Sequence, residues 1–468
     1  MTNATGTVAA HDTDIVSICS RLIRFDTTNY EHGRSNGESD CADYVESLLA
    51  DTPFAIRRLE SAPRRSNLIV TVPGTRPDLP ALICHGHLDV VPADPALWTF
   101  DPFSGTVSDG YVYGRGAVDM KDFVAAMICV LRDWAASGFR PAHTTYFAFV
   151  ADEETDGDFG AAWLVRNHPE CFGGARYALG ESGGMKIPWT DAAGRPVNFY
   201  PIASGERGTA HLKITAHGTA GHGSYVRDDN AVVRLADAVS RVAHHRWPNE
   251  VIATMGRFLE IVGQVRGETY VLDAADGADA VIADGADAAA AAARSDASLN
   301  ELLDRLGPLA DVVRRAFRPS SVPTMLAAGY KVNVIPEQAQ ACIDVRTLPG
   351  GEERQLAVID ELLGEHVTRE FIAHEPALEA PLDTPFYLAI ADALRGLDPT
   401  AVPVPFCTGG GSDAKAFSLL GIHAYGFSPS CAGAQGQQPQ GAHGVDERVP
   451  VDSLRFAQTT LDAILRWR

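Results

Sequence analysis

The chain has no surplus of basic charge, no closely paired cysteines and no apolar run of membrane-spanning length. Its 468 residues carry 39 Lys and Arg against 60 Asp and Glu, a formal charge of −21. A field of that sign excludes a nucleic-acid partner, because no basic patch can dominate it. The eight cysteines, Cys19, Cys41, Cys84, Cys129, Cys171, Cys342, Cys407 and Cys431, are scattered without a C-x-x-C spacing. They read as small buried hydrophobes in a reducing compartment, not as a disulfide framework. The first residues, MTNATGTVAAHDTD, lack the basic and apolar segments of a secretory signal. With no span-length stretch, the expectation is a cytoplasmic protein without a membrane partner. Hydrophobic residues at 46% and charged residues at 21% are ordinary for a globular chain, and the length suffices for two domains.

The first part of the chain alternates helix and strand signals. DIVSICSRLIRF places Ile15, Val16, Cys19, Leu22 and Ile23 on one helical face. Ser39 is a candidate N-cap for a second helix over residues 39–50. Apolar runs at Leu68–Val72, Ala81–Cys84, Thr145–Val150 and Tyr177–Leu179 read as buried strands, and Phe123–Trp134 as a helix with one apolar face. This pattern predicts an α/β fold with a mixed, mostly parallel sheet flanked by helices. After about residue 203 the texture changes. HLKITAHG and VTREFIAHEP read as strands, KVNVIPEQAQACIDVRT as a strand pair, and NAVVRLADAVSRV and EERQLAVIDELLGE as helices. The expected division is a first domain from residues 1–203 and 381–468, with an α+β unit from 204–380 inserted into it. Residues 246–322 form a further insertion. Its tract DAADGADAVIADGADAAAAAARSDAS reads as a polar surface loop with a short Ala-rich helix.

What the chain does have is a set of acidic and histidine residues in five separated motifs. They are HGHLDVVP around His87, GRGAVDMKD around Asp119, ADEETDG around Glu153 and Glu154, ALGESGG around Glu181, and GAHGVDERV around His443. His87, Glu154 and Glu181 follow predicted strands and Asp119 opens a predicted helix. Four of the five ligand candidates thus stand where sites collect in open α/β sheets. His87 and Asp89 form an H-x-D pair whose carboxylate can receive Nδ1–H and leave Nε2 for a metal. His85 competes for the same role; His87 is preferred because only it has a carboxylate at i+2. Asp119 has two oxygens with which to bridge two ions. Glu153 and Glu154 are adjacent, so one suits a metal and the other a proton. Taken singly, each has a plainer explanation: a structural histidine, a helix-terminal carboxylate, a solvated charge run. Histidine with carboxylate suits zinc, and cobalt and manganese accept the same ligand types.

Together the five motifs resemble the co-catalytic di-zinc amidohydrolase and peptidase family of aminoacylases, glutamate carboxypeptidase, succinyl-diaminopimelate desuccinylase and acetylornithine deacetylase. The resemblance runs from about residue 14 to the end, apart from 246–322. It implies a zinc-peptidase-like catalytic domain with an inserted lid or dimerisation domain, and two Zn²⁺. One ion would be held by His87, Asp119 and Glu181, the other by Asp119, Glu154 and His443. Glu153 would be the general base and Asp89 the orienter of His87. His222 would steady the oxyanion. Asn333, Arg346 and the loop with Gly409, Gly410, Gly411 and Ser412 would hold the substrate's carboxylate. Asp122 and Val226 stand where many members have glycine and proline. The implied reaction is hydrolysis of an N-acyl amino acid or short peptide with a free carboxylate, by attack of a zinc-bridging hydroxide. The rivals are an aminopeptidase or dipeptidase that reads a free amine, and a non-catalytic metal-binding relative. The family's homodimer and a monomer both remain open, because the extra insertion enlarges the lid.

Overall fold

In the computed structural model, residues 14–30, 34–155, 157–272 and 286–468 are described. They fall into two compact units. One comprises the chain up to Ala203, Ala380–Val404 and Ser412–Arg468; the other comprises Ser204–Glu379 and Pro405–Gly411. The expected division gave residues 405–411 to the first domain. They cluster instead with the second unit, where the Arg207 N–H donates to the Thr408 carbonyl at 3.3 Å.

The sheet of the first unit runs in the order Ile187–Thr190, Pro196–Glu206, His423–Gly426, Ala175–Gly180, Ala81–His87, Thr145–Val150, Arg65–Val72, Ala55–Ala62. Its four central strands, from His423–Gly426 to Thr145–Val150, are parallel, and the flanking pairs are antiparallel. The strand Ala81–His87 is buried along its whole length. This is why it reads as a continuous apolar run rather than as an alternation. Helix Lys121–Ser137 lies against it, with helices Ile15–Ile23, Ser39–Leu49, Pro385–Leu397 and Val451–Leu465 completing that layer. The expected single apolar face of the Phe123–Trp134 helix is corrected, since every residue from Lys121 to Leu131 is buried. Neighbours on several sides, not on one, explain its near-continuous apolar sequence. Ser39 is not the N-cap of its helix. Glu38 holds that position without a side-chain capping bond, and Ser39 Oγ lies 2.7 Å from Ser66 Oγ.

The second unit has a four-stranded antiparallel sheet in the order Ser320–Ala328, Gln338–Thr347, Gly208–His217, Val367–Glu375. Alternate residues of its two inner strands are buried, and Leu212, Ile214, Ile343 and Val345 pack with Leu235 and Ile359 of helices Ala231–His244 and Glu352–Leu363. Asn230 caps the first of these helices through a 2.9 Å bond from Val232 N–H. Residues 334–335 pair with Gly221–His222, not with Gln338–Thr347 as the expected strand pair required. The extra insertion ends before residue 320, where the edge strand starts, and holds helices Ala253–Arg266 and Ala286–Leu306. The latter helix, at 21 residues, is longer than expected. Residues 273–285, the core of the expected surface loop, lie outside the described residues, as do residues 1–13. No helix among the described residues is long and apolar enough to cross a membrane.

The buried helix Lys121–Ser137 makes a direct prediction. Phe123→Ala removes a fully buried ring and should cost about 3–5 kcal/mol of stability, read as a lower calorimetric melting temperature. An unchanged melting temperature would contradict this packing.

Candidate metal centre and active site

Three neighbouring parallel strands deliver their carboxyl-terminal residues to one place. His87 ends Ala81–His87, Glu153 and Glu154 follow Thr145–Val150, and Glu181 follows Ala175–Gly180. His87 is wholly buried. Its Nε2 lies 3.0 Å from Asp119 Oδ1, 3.7 Å from Glu181 Oε2 and 3.9 Å from Glu153 Oε2. From the far end of the chain, His443 Nε2 reaches Glu154 Oε2 at 2.9 Å and Asp119 Oδ2 at 3.2 Å. Asp119 therefore stands between the two histidines, one oxygen toward each. Two groups of donor atoms, from His87, Asp119 and Glu154 and from His87, Glu153 and Glu181, lie within 4.8 Å of one another. All five expected ligands are thus gathered, and Glu153 sits beside Glu181 rather than apart from the set.

The electrostatics are those of crowded carboxylates in a low-dielectric pocket. Burial, and then Glu181, push Glu153 well above the usual carboxylate range. Burial raises Glu154 to about 7 against the opposing bond from His443. Hydrogen bonds to Asp119 and Glu154 lift His443 to about 10. Burial acts to raise Asp119, but its bonds with His443 and His87 hold it below the usual range. Protons here do the work that a cation does elsewhere: they separate like charges.

Asp89 plays a different part from the one expected. His87 Nδ1 lies 2.9 Å from the Asp89 backbone carbonyl, whereas the Asp89 carboxylate is 3.6 Å away. The carbonyl therefore sets the tautomer. The carboxylate instead accepts the backbone N–H groups of Glu153 at 3.1 Å and Glu154 at 3.2 Å, and Asn29 Nδ2 at 2.9 Å. Asn29 Nδ2 also reaches Asp152 Oδ1 at 2.9 Å, which Arg65 Nη2 binds at 2.6 Å, while Arg65 Nε donates to the buried Glu38 at 2.9 Å. Asn29, Arg65 and Glu38 stand in no motif, and nothing in the linear sequence marks them. His85, the competing ligand, is also accounted for. Its ring packs 4.9 Å from Phe417 and over Gly180, where an added Cβ would come within 2.2 Å of it.

Glu447 stands inside the His443 motif. It is wholly buried and accepts four bonds, from Arg115 Nη1 at 2.7 Å and from the N–H groups of Gly116 at 2.9 Å, Val118 at 2.7 Å and Asp119 at 3.0 Å. One carboxylate thus clamps the loop that presents Asp119. Its signal was present: a second acidic residue four positions beyond a candidate ligand.

All the expected substrate residues but Ser412 belong to the second unit. His222 and Asn333 are exposed neighbours in the second unit, joined by the Gly223 N–H to Asn333 carbonyl bond at 2.9 Å, and His222 Nδ1 is 2.8 Å from Ser224 Oγ. Arg346 is half-buried near the end of its strand and pairs with Asp344 at 2.8 Å. Gly409, Gly410 and Gly411 belong to the second unit, and Ser412 to the first.

The chain matches Peptidase family M20/M25/M40 over residues 83–467. It belongs to that family. The N-fatty-acyl-amino acid synthase/hydrolase PM20D1 of Mus musculus is 24% identical over 454 residues, which are 92% of this chain and 83% of that protein. Aminoacylase-1 of Sus scrofa is 26% identical over 418 residues, 87% of this chain and 84% of its own. Among solved structures, an M20 family metallo-carboxypeptidase, Sso-CP2 from Sulfolobus solfataricus, shares the fold with a TM-score of 0.65 at 17% identity, covering 97% of this chain and 99% of that one. This M20-family chain is a metal-dependent hydrolase of aminoacylase or peptidase type.

Two predictions follow from this geometry. Metal uptake must displace the protons on His443 and Glu154, so zinc affinity, measured against a competing chelator, should rise steadily from about pH 6 to pH 8. A flat profile would remove these two from the ligand set. Glu447→Gln strips buried Arg115 of its counter-charge and should cost about 3–5 kcal/mol while lowering the metal retained after desalting. Wild-type stability and metal content in this variant would mean that the Asp119 loop holds itself.

Proposed function

We propose that the protein hydrolyses the amide bond of a small N-acyl amino acid or short peptide that ends in a free carboxylate, with Glu153 as the proton carrier. The observation that carries this reading is the position of Glu153. Its carboxylate is 15% exposed, 3.9 Å from His87 Nε2, on a backbone anchored by Asp89. The residues around it fit a metal. Glu154 Oε1 is buried and accepts no hydrogen bond among the described residues, an arrangement that suits a cation. Held by His87, Asp119, Glu154, Glu181 and His443, two divalent ions would supply Lewis acidity toward the carbonyl and a water pKa near about 7. The mixed donor set suits zinc, with cobalt or manganese as substitutes.

Glu153 takes the proton of the attacking water and delivers it to the leaving amine nitrogen, so its carboxylate ends as it began. A carboxyl group raised by burial is suited to both halves of that transfer. Asp89 anchors the backbone N–H groups of both Glu153 and Glu154. His222 is assigned to the developing negative charge on the carbonyl oxygen. Asn333, Arg346 and the loop through Gly409, Gly410, Gly411 and Ser412 are assigned to the substrate's carboxylate. A guanidinium beside exposed backbone N–H groups is a sound receptor for it.

Glu153→Ala should keep its metal content yet lose turnover by about a hundred- to ten-thousand-fold, measured on a panel of N-acyl amino acids and dipeptides. Near-normal turnover would remove Glu153 from the chemistry. An aminopeptidase reading remains distinct: comparing a dipeptide with its C-terminal amide decides it, since an unaffected rate on the amide excludes the carboxylate anchor.

A further inference from the structure

The second unit gathers three arginines, and two of them, Arg207 and Arg315, make no ion pair among the described residues. Arg346 is engaged. Its Nε and Nη2 fork onto Asp344 at 2.8 and 3.3 Å, and its Nη1 donates to Thr209 Oγ1 at 2.8 Å. Arg207 is 5% exposed. Its Nη2 donates to Ser320 Oγ at 2.7 Å and to the Arg346 carbonyl at 3.2 Å, while its Nε is buried with no acceptor among the described residues. Burial, with Arg346 and Arg315 adding their repulsion, brings its proton affinity down to about 10. Arg315 comes from the extra insertion and is exposed, with no hydrogen bond or ion pair among the described residues. Its stem lies across the glycine loop. A Cβ at Gly409 would come within 2.7 Å of Arg315 Cδ and 2.9 Å of its Cβ. Gly409 is therefore bare where the arginine crosses it.

We propose that Arg207 and Arg315 form a second anion seat beside Arg346, and that the acid end of the substrate carries two carboxylates, as in an N-acylated or peptide-linked aspartate or glutamate. The proposal rests on the reading that Arg346 and the glycine loop take the α-carboxylate. Charge supplies the argument. Asp344 forks onto Arg346, while Arg207 and Arg315 make no ion pair among the described residues of a chain of net charge −21. A buried guanidinium without an ion pair is costly, and its Nε–H finds no acceptor among the described residues. A monoanionic substrate would compensate one of these charges; a dicarboxylate compensates both, through the planar donor forks that suit it. The seat also gives the extra insertion a use: it contributes one of the two free guanidinium groups.

The test is binding of the amine products to the zinc-loaded full chain by titration calorimetry, so that it does not depend on turnover. Aspartate and glutamate are compared with asparagine and glutamine, which match them in shape and lack the second charge. At least one acid should bind about tenfold tighter than its amide. Arg315→Met keeps the stem over Gly409 and removes the charge; it should shrink that gap to about threefold or less while leaving the amide's affinity unchanged. Equal affinity for acid and amide overturns the proposal, as does an Arg315→Met loss that is the same for both. If neutral N-acyl amino acids are hydrolysed while this acid preference is absent, the second seat falls and the amidohydrolase reading stands. Loss of all hydrolysis with the preference intact gives the reverse.

Discussion

Mutual repulsion of carboxylates in a buried pocket is the constraint on which the first unit depends. Asp119, Glu153, Glu154 and Glu181 converge within a few ångströms of His87, and His443 closes on two of them. Such a cluster is unstable unless positive charge separates its members. Raised proton affinities at Glu153, Glu154 and His443 express that need, and divalent cations meet it with more charge and a fixed geometry. The site is thus built so that binding a metal and relieving its own strain are the same event.

Holding the cluster requires support that does not itself react. Two buried carboxylates supply it by accepting backbone N–H groups. Asp89 gathers the turn with Glu153 and Glu154, and Glu447 gathers the loop that ends at Asp119. Backbone bonds are well suited to this, because they fix where a side chain starts without occupying its functional atoms. Behind Asp89, Asn29, Asp152, Arg65 and Glu38 carry the network away from the pocket. One guanidinium, Arg65, serves both Asp152 and Glu38, and burial together with Asp89 pushes Glu38 up to about 8.

Much of this was legible from residue type and local pattern. Apolar runs marked three of the four central parallel strands and the adjoining antiparallel strand Arg65–Val72, and a carboxylate or histidine directly after a run marked the site. The outermost antiparallel strands were less legible. Ala55–Ala62, with its alternating partly buried residues, and Ile187–Thr190 lack continuous apolar runs because each is covered less completely. Ser39 looked like a cap, yet its hydroxyl is engaged by Ser66 from a neighbouring strand. The i+2 spacing of Asp89 suggested a side-chain bond to His87; a backbone carbonyl nearer to the ring took that place.

The sequence by itself determined the ligand types, their order and the α/β alternation that carries them, because these depend on chemistry and on short-range periodicity. Only the tertiary structure decided which carboxylate supports and which faces the pocket, and that His85 packs in the core while His87 looks into the site. It also decided that Arg65 and Glu447, 87 and 332 residues from their partners Asp152 and Arg115, complete the framework. A hydrogen bond depends on distance and direction in space, and a chain folded into two units brings together groups that no local spacing connects.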